Sequence, residues 1–215
     1  EALRRRDPLA FYSQGQEALG LGHLNLAVGA LHEAVAKDPS QLTYRRALVR
    51  ALVAAKQDEN ARQLLLEMRD QQAEDPETNL ELARLEGHRG DQAAASRYYE
   101  TAILGLWRPE QRATQRQVRI EFVEFLLHRQ ERDRALSELL VLETSLPEDE
   151  PAQLATGRMF LAAGSPQRAL DHFERMLHRS PDDPAALAGA GEAAFDLNDY
   201  ARARRYFNAI KQDDS

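Results

Sequence analysis

Apolar residues recur along the chain as pairs of short helical runs separated by turn residues. In the stretch Glu150 to Asp183, Leu154, Ala155, Met159, Phe160 and Ala163 fall at helical spacing until Gly164-Ser165-Pro166 breaks the run. Ala169, Leu170, Phe173, Met176 and Leu177 then share one face of a second helix, with Ser165 placed as its N-cap, which stops at Ser180-Pro181. Neither helix can bury its apolar stripe alone. The pair is present six times: an alanine recurs as Ala27, Ala61, Ala95, Ala135, Ala169 and Ala203, with successive differences of 34, 34, 40, 34 and 34 residues. A small or β-branched column runs in step with it, Gly15, Val49, Ala83, Val123, Gly157 and Gly191. So does a bulky column, Leu31, Leu65, Tyr99, Leu139, Phe173 and Phe207.

Gly157, Phe160, Ala169, Phe173 and Pro181 have the spacing of the tetratricopeptide repeat, and the chain resembles that family over almost its whole length. The resemblance implies an all-α, right-handed superhelical solenoid of six helix-turn-helix repeats. Their expected bounds are 8–41, 42–75, 76–109, 110–149, 150–183 and 184–215, after a stub at 1–7. The six extra residues before Ala135 are expected to lengthen the first helix of repeat four, which then starts near Pro109. Repeat three is the most polar unit. Repeat six is expected to lack a polar capping helix, so that Tyr206, Phe207 and Ile210 offer an apolar side for self-association or for sequence outside this segment. A chain opening on Glu1 reads as an excised or processed piece, and Glu1 to Asp7 as the end of a helix or the remnant of an anchor.

Charge and composition narrow the function classes. Lys+Arg number 28 and Asp+Glu 35, a net charge of -7 spread along the chain without a tail or block, which argues against nucleic acid as a partner. With no cysteine there is no disulfide, thiolate nucleophile or cysteine-rich zinc site, and the chain fits the cytoplasm or the periplasm equally. No apolar run is long enough to span a bilayer, so direct membrane insertion is not expected of this segment.

The six histidines contain no HExxH pair, and the plainer reading is surface side chains. His88 and His128 each fall seven residues before the column alanine and project toward one groove, but two ligands without a third do not make a zinc site. The acid pairs Glu148-Asp149-Glu150 and Asp182-Asp183 sit at helix starts, where carboxylates cap. No Gly-rich phosphate loop or triad-like grouping is present. The chain is therefore expected to be no enzyme and to need no metal or cofactor.

In the architecture that the resemblance implies, the first helices of the repeats line the concave surface. One residue per repeat projects there as Tyr12, Arg46, Leu80, Ile120, Leu154 and Ala188, and one turn further as Gln16, Arg50, Arg84, Glu124, Arg158 and Glu192. Arg46, Arg50 and Arg84 are expected to converge on a carboxylate, with an apolar floor through repeats three to five. Family members that hold chaperone tails use a clamp of lysines and asparagines, where this chain has Tyr12 and Gln16. The implied function is a scaffold that binds a peptide or helix of another protein, acidic or with a free C-terminal carboxylate. The alternatives are an oligomeric assembly module and an accessory domain of a larger, envelope-anchored protein. The register carries a test: Ala169→Leu should cost on the order of 1–3 kcal/mol, because a close helix contact leaves no room for extra methylenes. An unchanged melting temperature would refute it.

Overall fold

A computed structural model describes residues 7–146 and 149–210. The stub Glu1 to Arg6, Pro147, Glu148 and the tail Lys211 to Ser215 lie outside the described residues, and with them the expectations placed on those positions. Within them the chain forms twelve α-helices and no strand: α1 Pro8–Gly20, α2 Leu24–Lys37, α3 Leu42–Ala54, α4 Asp58–Gln71, α5 Pro76–Arg89, α6 Gln92–Leu104, α7 Arg112–His128, α8 Arg132–Glu143, α9 Glu150–Ala162, α10 Pro166–Arg179, α11 Pro184–Asp196 and α12 Tyr200–Ile210. They group into two compact units, Glu1–Arg108 and Pro109–Ser215. In each unit every helix packs on the one before it, so three helix hairpins follow one another.

The helix starts are specified locally. Asp7, Asp75, Asp149 and Asp183 each accept a backbone N–H of the first turn, at 2.8–2.9 Å, and proline occupies that turn in α1, α5, α9 and α11. Ser165 occupies the N-cap of α10 but makes no side-chain bond there. The hairpin turns are equally regular. A residue at positive φ recurs as Gly22, Lys56, Gly90, Gln130, Gly164 and Asn198. At five of these turns, Gly90's being the exception, the next N–H bonds the carbonyl five residues back, for example Ser165 to Phe160 at 2.8 Å, which closes the preceding helix. Only half of this column is glycine, so its period is not visible in composition. The insertion adds a 3-10 turn at Pro109–Gln111 and makes α7, at 17 residues, the longest helix.

The three sequence columns meet inside each hairpin. The column alanines are buried throughout, and so are Leu31, Leu65, Tyr99, Leu139 and Phe173. The bulky residue of the second helix rests on the small residue of the first: a Cβ added at Gly15 would lie 2.4 Å from Leu31 Cγ, one at Gly157 2.7 Å from Phe173 Cε1, and one at Gly191 2.6 Å from Phe207 Cε1. Phe173 is gripped from both sides, since a Cβ at Gly189 of α11 would come within 2.5 Å of its Cζ. Packing this tight has no slack for an added atom. Phe207 is 40% exposed, and the last hairpin is the one whose bulky residue is not enclosed.

Polar α5 buries well because its polar residues are satisfied. Asn79 donates to the carbonyls of Ala73 and Asp75 at 2.9 and 2.8 Å, and buried Glu86 accepts from Arg62 at 2.6 Å. The Phe173 contact yields a prediction. Gly189→Ala should gain about 1 kcal/mol of helix propensity and still destabilise the chain by about 1–2 kcal/mol net through overpacking. Adding Phe173→Leu should return part of that loss, which a double-mutant cycle in urea would read as a coupling.

Candidate functional site

In the first unit the candidate groove residues lie on the first helices of the hairpins, α1, α3 and α5. A cleft of ≈230 Å³ between α3 and α5 is lined by Arg46, Arg50, Leu80 and Val49 together with Glu77 and Glu81. The three expected arginines are not a free cationic wall. Arg46 donates to both carboxylate oxygens of Asp75, at 2.9 and 3.1 Å, and reaches Glu77 at 2.6 Å. Arg84 pairs with Glu81 at 3.1 Å. Arg50 is exposed and has no ion pair among the described residues. The cleft is thus charge-balanced rather than basic, and Leu80 is largely buried beneath it. Spacing missed the partners of Arg46 because Asp75 and Glu77 come from a turn and a helix more than 25 residues away in sequence, whereas Glu81 stands three residues from Arg84 on the same helix, a spacing at which helical side chains meet. The one local signal was Asp75 standing before Pro76, which marks a cap that a neighbouring cation can share.

Tyr12 and Gln16 are engaged with each other and with the next hairpin. Gln16 Nε2 donates to Tyr12 Oη at 3.0 Å, and the Tyr12 ring lies 5.0 Å from that of Tyr44. His88 is exposed at the end of α5. In the second unit α7, α9 and α11 form the corresponding layer. Ile120 and Leu154 are half-buried in it, while Glu124, His128 and Arg158 are exposed. A cleft of ≈330 Å³ between α9 and α11 is lined by Arg158, Leu161, Ala162, Glu192 and Asp196. His88 and His128 belong to different units, and no group of three or more metal-ligating side chains exists among the described residues.

Family models described as tetratricopeptide repeat match residues 12–76 and 160–215. The chain belongs to the tetratricopeptide repeat family. Among solved structures, the C-terminal part of a TPR repeat-containing protein from Cytophaga hutchinsonii matches with a TM-score of 0.69 at 10% identity, covering 92% of this chain and 77% of that one. A tetratricopeptide repeat protein from Parabacteroides merdae matches at 0.62 with 14% identity, covering 94% and 78%. YrrB, titled a TPR protein with an unusual peptide-binding site, matches at 0.55 with 17% identity, covering 85% and 91%. No curated protein matches in sequence. No described helix is long and apolar enough to cross a membrane.

One histidine of this TPR chain is not on the surface. His172 of α10 is buried against Phe160, with ring centroids 5.4 Å apart. Its Nε2 lies 3.2 Å from Glu143 of α8, and its Nδ1 lies 2.9 Å from Arg175 Nη2 and 2.8 Å from Gln153 Oε1 of α9. An arginine can only donate, so Nδ1 is the accepting nitrogen and Nε2–H donates to Glu143. That assignment places the Gln153 amide NH₂ toward Nδ1, since the amide's two ends are interchangeable. Burial, and then the Arg175 charge, hold the imidazole below its ordinary pKa of 6.5 against the opposing pull of Glu143. The unfolded chain therefore takes up the proton first. The stabilisation is complete above pH 6.5 and is lost as pH falls below it toward the depressed value. Urea midpoints measured from pH 7.5 downward should fall more steeply for the parent than for His172→Gln, and parallel curves would contradict the assignment.

Proposed function

We propose that the chain is a non-catalytic adaptor whose first-helix faces hold a segment of another protein. The observation that carries this reading is the pair of clefts. In each unit an arginine without an ion-pair partner among the described residues, Arg50 or Arg158, stands beside an aliphatic floor, with carboxylates on the following first helix. A cation that no side chain neutralises is available to a ligand carboxylate, while Leu80 and Leu161 offer contact to an aliphatic neighbour. The facing carboxylates Glu77, Glu81, Glu192 and Asp196 select against uniformly acidic segments. The favoured ligand carries one carboxylate, such as a free C-terminus, next to apolar residues that precede it. YrrB shares the fold and is titled for a peptide-binding site, and we extend that use of the fold to this chain.

The test is a screen of short peptides with free C-terminal carboxylates against the purified chain, followed by calorimetry on the best binder. Arg50→Glu or Arg158→Glu should weaken binding by roughly tenfold at low salt, and the loss should shrink as salt rises because the clefts are open to water. Arg204→Glu on α12 is the control. A binder indifferent to both cleft variants, or equally weakened by the control, would overturn the proposal.

A further inference from the structure

The second helices of the hairpins show a different kind of site. Where one of them follows another within a unit, a polar or aromatic pair fills the seam between them in three cases out of four. Tyr98 of α6 is capped by Arg69 of α4 at 5.5 Å from the ring centroid. His172 of α10 bonds Glu143 of α8. Tyr206 of α12 donates to Glu174 of α10 at 2.6 Å, and burial and that carboxylate push its phenol up to about 12. Counted in the repeat register, the residue that stands at the place of Tyr98, His172 and Tyr206 in repeat two is Leu64. The residue at the place of Arg69 and Glu143 in repeat one is Val35. Neither can reach across. The seam between α2 and α4 consequently stays open as a cleft of ≈510 Å³, with Val28, Val35 and Leu64 on its walls and Leu48 and Leu52 of α3 at its base.

The charge at this cleft is one-sided. Glu67 is the only Asp, Glu, Lys or Arg lining it, and its side chain is 55% exposed. Arg45 approaches only to 3.8 Å and spends its own hydrogen bond on Gln71 at 2.7 Å, and Gln63 donates to Glu67 Oε1 only at 3.4 Å, so the carboxylate keeps acceptor capacity beyond these long contacts. Asp70 is exposed one turn on. Both acids stand in the last two turns of α4, where the helix dipole disfavours negative charge. The one cation in that last turn, Arg69, is engaged by Asn79 and by the Tyr98 ring, so the two acids are offset only in part, and a local rule left partly broken points to a use outside the fold. The walls, α2 from Val28 and α4 from its N-cap Gln57 to Glu67, run for about ten residues, or about 15 Å at the helical rise, which suits about three turns of a helix laid between them.

We propose that this seam docks an amphipathic helix of a partner protein, with aliphatic anchors three and four residues apart set into the cleft and a lysine or arginine beyond them on Glu67 and Asp70. The site is separate from the first-helix clefts and stands or falls independently of them.

The probe is a fluorescein-labelled, alanine-based helical peptide with leucines at i, i+4 and i+7, made in two forms with an arginine after the last leucine or before the first. Fluorescence anisotropy with the full chain should show saturable binding of one form. Replacing its arginine by glutamate, or Glu67→Lys in the chain, should weaken that binding about tenfold, more at low salt. Leu64→Tyr, which supplies the ring that closes the neighbouring seam, should abolish it. Ala36→Trp, at an exposed rim position, should do the same and keeps the test decisive if Leu64→Tyr fails to fold. Arg50→Glu should leave binding unchanged. The proposal is overturned if neither peptide binds below ~1 mM, or if the rim and Leu64 variants bind like the parent. It is overturned equally if the chain alone sediments as an oligomer that Leu64→Tyr dissolves, since the seam would then belong to a second copy.

Discussion

The close approach of two helices inside each hairpin is the constraint on which the rest of the structure depends. An alanine that is fully or almost fully buried marks each second helix, and one turn on from it a bulky side chain lies against a residue of the first helix small enough to let the backbones near one another. The gain is not the burial of one side chain, on the order of 1.5–3 kcal/mol for a large apolar residue. It is that the distance and angle of the pair are set by steric contact, so the hairpins within each unit can follow one another on one plan. Phe173 extends this from one hairpin to the next, because Gly157 and Gly189 press on its two faces from consecutive first helices.

With geometry set by small and apolar residues, charge is left to do other things, and in this chain it mostly pairs with itself. Asp75 shows how economically. It caps α5 through the Thr78 N–H, accepts the Thr78 hydroxyl and holds Arg46, so a helix start and the wall of a cleft share one carboxylate. A groove with several arginines is then not an anion trap. What counts is which groove arginines have no ion-pair partner among the described residues, and of the four those are Arg50 and Arg158 rather than Arg46 or Arg84. The same accounting explains why the second-helix seam at Leu64 stands apart: where neighbouring seams are closed by Arg69 with Tyr98 or Glu143 with His172, Val35 and Leu64 leave surface and a carboxylate, Glu67, held only by long contacts.

Much of this fold is legible in the sequence, and the reason is one-dimensional. In a repeat array each unit contacts only its neighbours, so a periodic contact leaves a periodic residue. The alanine, small and bulky columns announce six helix pairs, the six-residue insertion announces a longer α7, and Asp-Pro steps such as Asp183-Pro184 announce helix starts. Each is a local or fixed-separation rule. The projection of Arg46, Arg50 and Leu80 onto one cleft belongs to the same kind of reasoning, because it needs only the helical period and the repeat length.

What the sequence could not settle is the pairing of long flexible side chains and the filling of space between elements. Arg46 could have met solvent, a ligand or Asp75. Only the placement of the turn before α5 decides for Asp75, since a guanidinium on four rotatable bonds goes to the best acceptor within reach. His172 reads as a surface histidine from its spacing, and tertiary packing buries it because Glu143 arrives from α8 and Gln153 and Phe160 from α9. The open seam beside Leu64 is an absence, and no residue pattern announces the volume that a missing ring leaves behind. Backbone geometry follows from short-range rules that repeat, whereas side-chain partnership and cavity volume depend on how far apart separate elements come to rest.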